Sequence, residues 1–383
     1  MTKKSRQEYL EEIKSEYEQT KRQIETVKTK EEQIEIRKKL RTIIKKILKL
    51  EKKDMPLREL NTYYRELRKI AYENDEPIQG INIRKKIHAI TRQALKLEQI
   101  PNKFSIEVLS DERIKSNKPK VYAVTHVARY DIEASIQAIK ENAFILWGDV
   151  GELNRSPEIL LLEALGIIPV DVEIPDKNDE KEVQSIKEDR HISLETTIKV
   201  LKQGGNVLIF PEGAWNTTDN IIVTKLFTGA VEAAIRGEAD IVPVAVDKDK
   251  NDRYYVKVGK NIDTSNMKIE DKKEESEKVR EILAGLKYDI WEHIAKVEGP
   301  TIRSDMHENA REEYLNDIMK DSDNSYTLEV IEKTRYKEKG IITKEEAFNH
   351  LGEIQVSRDN AFLFKGLNQQ ERKEQAKRLI KNR

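Results

Sequence analysis

Cysteine is absent from the 383 residues, which excludes a disulfide framework, a thiolate nucleophile and a cysteine-based zinc site. Long apolar runs are missing too. The most apolar stretch, Ile159 to Val170, includes Glu163 and is far shorter than the roughly 20 apolar residues that span a bilayer. At the start of the chain, Met1 to Arg6 run straight into Gln7 and Glu8 with none of the apolar core of a secretory signal. Aromatic residues are only 6% of the chain, and no two of the six histidines fall at metal-ligand spacing. No glycine-rich nucleotide loop is evident, so neither a metal nor a cofactor is expected. The expected location is cytoplasmic, peripheral at the inner face of a membrane and not across it.

Charge, by contrast, is abundant and unevenly spread. The chain carries 70 basic and 70 acidic residues, yet the first hundred hold 26 lysines and arginines against 17 acids. The excess of nine there is matched by an equal acidic excess in the remainder, so the N-terminal part is expected to meet something anionic. Gln7 to Lys53 contains neither glycine nor proline, and Leu10, Ile13, Tyr17, Thr20, Ile24, Val27 and Ile34 mark one seam of coiled-coil type. Two further helices are expected, one carrying Leu57, Leu60, Tyr64, Leu67 and Ala71. The other places Ile83, Ile87, Ile90, Ala94 and Leu97 on one stripe. Residues 1–100 therefore read as a basic helical region.

Within that region, Ile36 to Lys53 pairs an apolar face (Ile36, Leu40, Ile43, Ile44, Ile47, Leu50) with nine basic residues and a single acid, Glu51. A helix of this kind can lie flat on anionic lipid. Lys38, Lys39, Lys45 and Lys46 would supply the attraction and Ile43, Ile44 and Ile47 the insertion. Packing of the same stripe on neighbouring helices is the plainer alternative. Nucleic acid is not expected, since no aromatic interleaving accompanies the basic residues.

After Pro101 the texture changes. Short apolar runs at 121–125, 143–147, 166–170, 206–210, 240–246 and 254–258 read as strands. Helical patterns at 132–140, 157–165, 191–202 and 227–236 lie between them. Such alternation predicts an α/β fold with a central, largely parallel sheet flanked by helices. Pro175 to Asp189 reads as a charged, exposed insertion, and 270–297 as a further helix. The expected organisation is a helical N-terminal region over 1–100, a catalytic domain over 101–299, and a polar helical C-terminal tail over 300–383. Val330, Ile331, Ala347, Phe348 and Leu351 are the tail residues expected to dock.

Two blocks carry chemistry. His126 directly follows the 121–125 strand, and Asp131 opens the next helix. Five residues apart in an ideal helix they would point about 140° away from each other, so they can meet only across a turn. A carboxylate that holds a histidine fixes its tautomer and stabilises the imidazolium, as a general base requires. Taken alone this spacing is common by chance, and Asp131 is equally an ordinary helix cap. The second block, Phe210-Pro211-Glu212-Gly213, ends an apolar strand, where α/β proteins place ligand-binding turns. It is much the rarer string.

The order of these blocks resembles the PlsC-like glycerolipid acyltransferases, lysophosphatidic acid acyltransferases included. Thr125-His126-Val127-Ala128-Arg129-Tyr130-Asp131 is similar to their Asn-His-x4-Asp block. Phe210 to Asn216 is similar to their Phe-Pro-Glu-Gly-Thr-Arg-Ser block, and Gly229-Ala230 with Ile241 to Ala245 to their closing blocks. The resemblance spans Val121 to Val258. It implies transfer of a fatty acyl group from acyl-CoA or acyl carrier protein to a hydroxyl of lysophosphatidic acid or another lysolipid. In that reading His126 is the base, Asp131 orients it, and Glu212, Gly213, Trp215 and Asn216 shape the acceptor pocket. Two arginines of the family pattern are missing, with Val172 and Trp215 in their places. Arg129 is the first candidate to replace them, beside Arg155, Arg190 and Lys225. A non-catalytic binding member of the same fold and a hydrolase using the same base on water are the competing readings.

Overall fold

The computed structural model describes residues 3–51, 55, 57–97, 99–148, 164–170, 179–213, 215–216, 223–249 and 251–298. The expected docking of the tail beyond residue 299 lies outside them, as does most of the helix expected over 157–165. Two compact units separate, the first within Met1–Gln79 and Pro169–Thr196, the second within Gly80–Leu146 and from Thr197 onward. The first boundary between them falls between Gln79 and Gly80.

In the first unit, the run without glycine or proline is broken into α1 (Lys3–Thr26) and α2 (Lys30–Glu51). Thr29 causes the break. Its hydroxyl accepts the Glu32 N–H at 3.4 Å and donates to the Glu32 carboxylate at 2.6 Å, a side-chain N-cap that starts a new helix. The two helices pack with α3 (Leu57–Glu73) around Ile13, Tyr17, Leu40, Ile43, Ile44, Ile47, Leu60, Tyr63 and Ile70. Tyr17 meets Tyr63 edge-on at 5.3 Å, and Lys14 bridges Glu51 and Glu59 at 3.0 and 3.2 Å.

This arrangement corrects the lipid-insertion expectation for α2. Ile43, Ile44 and Ile47 are 2%, 0% and 0% exposed, and withdrawing each from the core would forfeit about 1.5–3 kcal/mol of burial. Lys38, Lys39, Lys45 and Lys46 remain on the exposed side, with Lys38 paired to Glu35 at 2.7 Å and Lys39 to Glu16 at 3.2 Å.

The expected charged insertion is corrected as well. From Glu180 it is the start of a long helix, α7 (Glu180–Lys202). Asp189 is buried there under Arg68, whose Nε and Nη2 both lie 2.7 Å from its Oδ1.

The second unit begins with α4 (Ile81–Leu97), whose burial reverses the expected stripe. Ile81, Thr91 and Leu95 face the core, while Ile83, Ile90 and Leu97 are 66%, 73% and 66% exposed. Polar anchors select that rotation. The His88 ring meets the Lys140 carbonyl at 3.0 Å, Gln137 donates to the Arg92 carbonyl at 2.7 Å, and Arg84 lies over the Phe144 ring. A short α5 (Gln99–Asn102) follows.

A seven-stranded sheet then forms in the order β1-β7-β6-β2-β5-β3-β4. Its strands are β1 (Ser105–Asp111), β2 (Lys120–Val124), β3 (Phe144–Trp147), β4 (Ile167–Pro169), β5 (Val207–Ile209), β6 (Asp240–Lys248) and β7 (Arg253–Val258). The edge strand β1 was not expected; its residues are mostly half-exposed or exposed and lack a long apolar run. Pairing is parallel for β1/β7, β2/β6, β2/β5 and β3/β5, and antiparallel for the β6/β7 hairpin. Central β2 is buried at every position. Flanking the sheet are α6 (Asp131–Ile139), α8 (Gly229–Arg236) and α9 (Lys272–Glu298), with Ile290 and Ile294 of α9 packed on Ala245 and Tyr255. Among the described residues no helix is long and apolar enough to cross a membrane.

Candidate active site

Strand register brings the two sequence blocks together. Ala123 of β2 pairs with Ile209 of β5 and Val124 with Val244 of β6, all parallel. The turns after β2 and β5 therefore leave the sheet at the same carboxyl edge, the edge where such folds place their chemistry. Thr125 locks this edge, its hydroxyl accepting the Val246 N–H at 2.8 Å and donating to the Val246 carbonyl at 2.9 Å.

His126 and Asp131 meet across a tight turn. Asp131 is the first residue of α6, and its carboxylate folds back toward the strand, with no exposure. Its Oδ2 lies 2.9 Å from His126 Nδ1 and accepts the backbone N–H of Val127 at 2.5 Å and of Ala128 at 2.9 Å. Three donors on one oxygen hold the carboxylate in place. Because Nδ1–H is donated to Asp131, the lone pair of His126 stands on Nε2. Among the described residues Nε2 makes no hydrogen bond, and the side chain is 21% exposed. The geometry is that of a general base with its orienting carboxylate.

The Phe210 to Asn216 loop grips the backbone of His126 from both sides. Glu212 Oε1 accepts the His126 N–H at 3.0 Å, and Asn216 N–H donates to the His126 carbonyl at 2.6 Å. Phe210 stacks on the imidazole with ring centres 4.1 Å apart, and Trp215 meets it edge-on at 6.0 Å. Two aromatic rings, one stacked and one edge-on, thus fix the ring plane on sides the carboxylate does not control.

Glu212 is expected to help shape the acceptor pocket, and its contacts are with the His126 backbone and Thr224. It is fully buried, and its second oxygen accepts both the N–H and the hydroxyl of Thr224 at 2.8 Å. With both oxygens occupied, the residue organises the turn. Asn216 is buried as well. Gly213 has φ +68°, and an added Cβ would meet the Phe227 ring at 2.5 Å, so backbone freedom and space both demand glycine. Arg129 is exposed on the turn, its guanidinium 5.8 Å from the Tyr130 ring centre. Of its alternatives, Arg155 lies outside the described residues and Arg190 belongs to the first unit. Lys225 is exposed next to Thr224.

Thr224 and Arg280 escaped the sequence reading. Arg280 of α9 donates from Nε and Nη2 to the Val223 carbonyl at 2.9 and 2.8 Å, immediately before Thr224. Neither sits in a recognisable string, and their partners are 12 and 57 residues distant. Among the described residues no cluster of His, Asp or Glu has the makings of a metal site.

Residues 105–247 match the family model described as Acyltransferase. No curated protein matches the chain. Among solved structures, the chain is similar to the 1-acyl-sn-glycerophosphate (LPA) acyltransferase PlsC from Thermotoga maritima. Identity is 15% and the TM-score 0.39, over 52% of this chain and 78% of that one. His126, Asp131 and Glu212 all fall inside the segment that matches the Acyltransferase family model.

Proposed function

We propose that the protein transfers a fatty acyl group from an acyl thioester, acyl-CoA or acyl carrier protein, to a hydroxyl of lysophosphatidic acid or another lysolipid. The hydroxyl oxygen attacks the thioester carbonyl while His126 Nε2 takes its proton. The C–S bond then breaks, and the departing thiolate recovers that proton from the imidazolium. An ester and a free thiol result, without an acyl-enzyme. Asp131 keeps the imidazole in the needed tautomer and offsets its transient charge. The Phe210 and Trp215 rings beside His126 provide an apolar wall for a lipid acceptor. We place the enzyme at the cytoplasmic face of a membrane, where both substrates are reached.

The observation that carries this reading is the His126–Asp131 pair at 2.9 Å with its backbone held by Glu212 and Asn216. The test incubates purified protein with labelled palmitoyl-CoA and a panel of lysolipids, then separates the lipid products. A diacyl product from one acceptor class is expected, reduced at least about 100-fold in His126→Ala, since general-base assistance is worth that much. Release of free fatty acid alone would make the protein a hydrolase. Product formation indifferent to His126→Ala would remove the mechanism.

A further inference from the structure

We infer that Arg280 is a positioning residue for the active site, acting from a helix beyond the family-matched segment. The path has three short links. Arg280 is 9% exposed and takes the Val223 carbonyl with two prongs of its guanidinium, at 2.9 and 2.8 Å. This fixes the peptide that presents Thr224. Thr224 delivers two donors, N–H and hydroxyl, to Glu212 Oε2, each at 2.8 Å. Glu212, tied at that end, offers Oε1 to the His126 N–H at 3.0 Å. Arg280, Thr224 and Glu212 contribute polar side chains and are all buried, as is Val223 itself, and His126 enters through its backbone N–H.

Burial gives the chain its force. A guanidinium is planar and always charged, and its two-pronged grip sets both the position and the tilt of a carbonyl. Removing it leaves the Val223 carbonyl in a dry site without its charged donors, which favours movement of 223–224 toward water. Thr224 would then release Glu212, and the loop supporting the His126 backbone would loosen. Asp131 would still hold the imidazole, so the expected defect is imprecise placement of the base, not its loss. Glu277, 3.3 Å from Nη1 on the same helix, steadies the guanidinium. The sheet and α9 are independently joined through Ile290 and Ile294, so α9 need not detach when Arg280 is changed.

The test keeps the full chain and compares Arg280→Met, which preserves an unbranched stem but no donor, with Arg280→Lys and with the exposed Lys278→Ala as control. Backbone amide exchange at His126 and Thr224 is read by NMR, a measurement that needs no substrate. Exchange at both amides is expected to rise at least about tenfold in Arg280→Met, rise less in Arg280→Lys, and stay unchanged in Lys278→Ala. The inferred effect on catalysis rests on the acyltransferase reading. Turnover should fall about tenfold with KM within about twofold, and Arg280→Met combined with Thr224→Val should be no worse than the poorer single variant. Wild-type exchange at both amides in a folded Arg280→Met, or losses that multiply in the double variant, would overturn the proposal. If Arg280→Met does not fold, Arg280→Lys decides alone, and wild-type exchange at Thr224 there would overturn it. Absence of any transfer by the wild type would defeat the acyltransferase reading and leave the amide result standing.

Discussion

A buried carboxylate whose two oxygens serve different partners cannot be exchanged for an amide without loss. In Glu212, Oε1 takes the His126 N–H and Oε2 takes two donors from Thr224. Glutamine keeps one accepting oxygen, and its NH₂ must face an N–H that is itself a donor. Glu212→Gln is expected to lower stability by about 1–3 kcal/mol, the cost of a buried unsatisfied group, and to reduce turnover with little change in KM. Denaturant unfolding and steady-state kinetics check this together. A selective rise in KM with wild-type stability would favour the acceptor-contact role that the resemblance implies. At this scale the chemistry was legible only where it is local. His126 and Asp131 lie five residues apart beside a strand, so one turn unites them. The burial of Glu212 depends on Thr224, 12 residues onward, and Thr224 on Arg280 beyond it. Neither link leaves a mark in short-range spacing.

Elements were legible in type more often than in the face they bury. The strands at 121–125 and 240–246 are central, and their continuous apolar runs are what a sheet covered on both faces requires. Helix α2 shows the ambiguity of a basic amphipathic stripe, because the same aliphatic face suits lipid or a neighbouring helix. In α4 two apolar stripes compete, and the anchors at His88, Arg92 and Arg84 expose the one that periodicity favoured. Burial in the helical unit has a consequence for pH. The Tyr17 phenol is pushed up to about 12, first by burial and then by Glu66. Lys21 is also held above its ordinary range; burial opposes this, and Glu66 more than offsets it. Both groups have folded pKa values raised above their unfolded ones, so the stability they confer is complete below about pH 10. It is lost as the pH rises further. Helical ellipticity is expected to fall from about pH 10 toward 12, and to persist to higher pH in Tyr17→Phe. An unchanged midpoint in Tyr17→Phe would show that its phenol does not govern the transition.

At the scale of the whole molecule, the first hundred residues carry a positive excess and the remainder an equal negative one, though the total is zero. An anionic surface is expected to attract residues 1–100. Since Ile43, Ile44 and Ile47 are committed to the core, the attraction through α2 must be electrostatic and not insertional. Each basic residue near such a surface contributes about 1 kcal/mol, and the effect dies within a Debye length of about 8 Å at physiological ionic strength. The protein is therefore expected to float with vesicles containing anionic lipid and not with zwitterionic ones. At 1 M salt, where the Debye length is about 3 Å, it should be released. Reversal of Lys38, Lys39, Lys45 and Lys46 to Glu should weaken flotation strongly. The fold should survive, because the pairs to Glu35 and Glu16 are surface pairs of about 0–1 kcal/mol each. Turnover on a detergent-dispersed acceptor should stay near wild type, since none of the four lysines belongs to the unit that holds His126. Flotation that persists at 1 M salt would defeat the electrostatic account. Apolar insertion would then fall to an exposed stripe, and Ile83, Ile90 and Leu97 of α4 are the residues to change next.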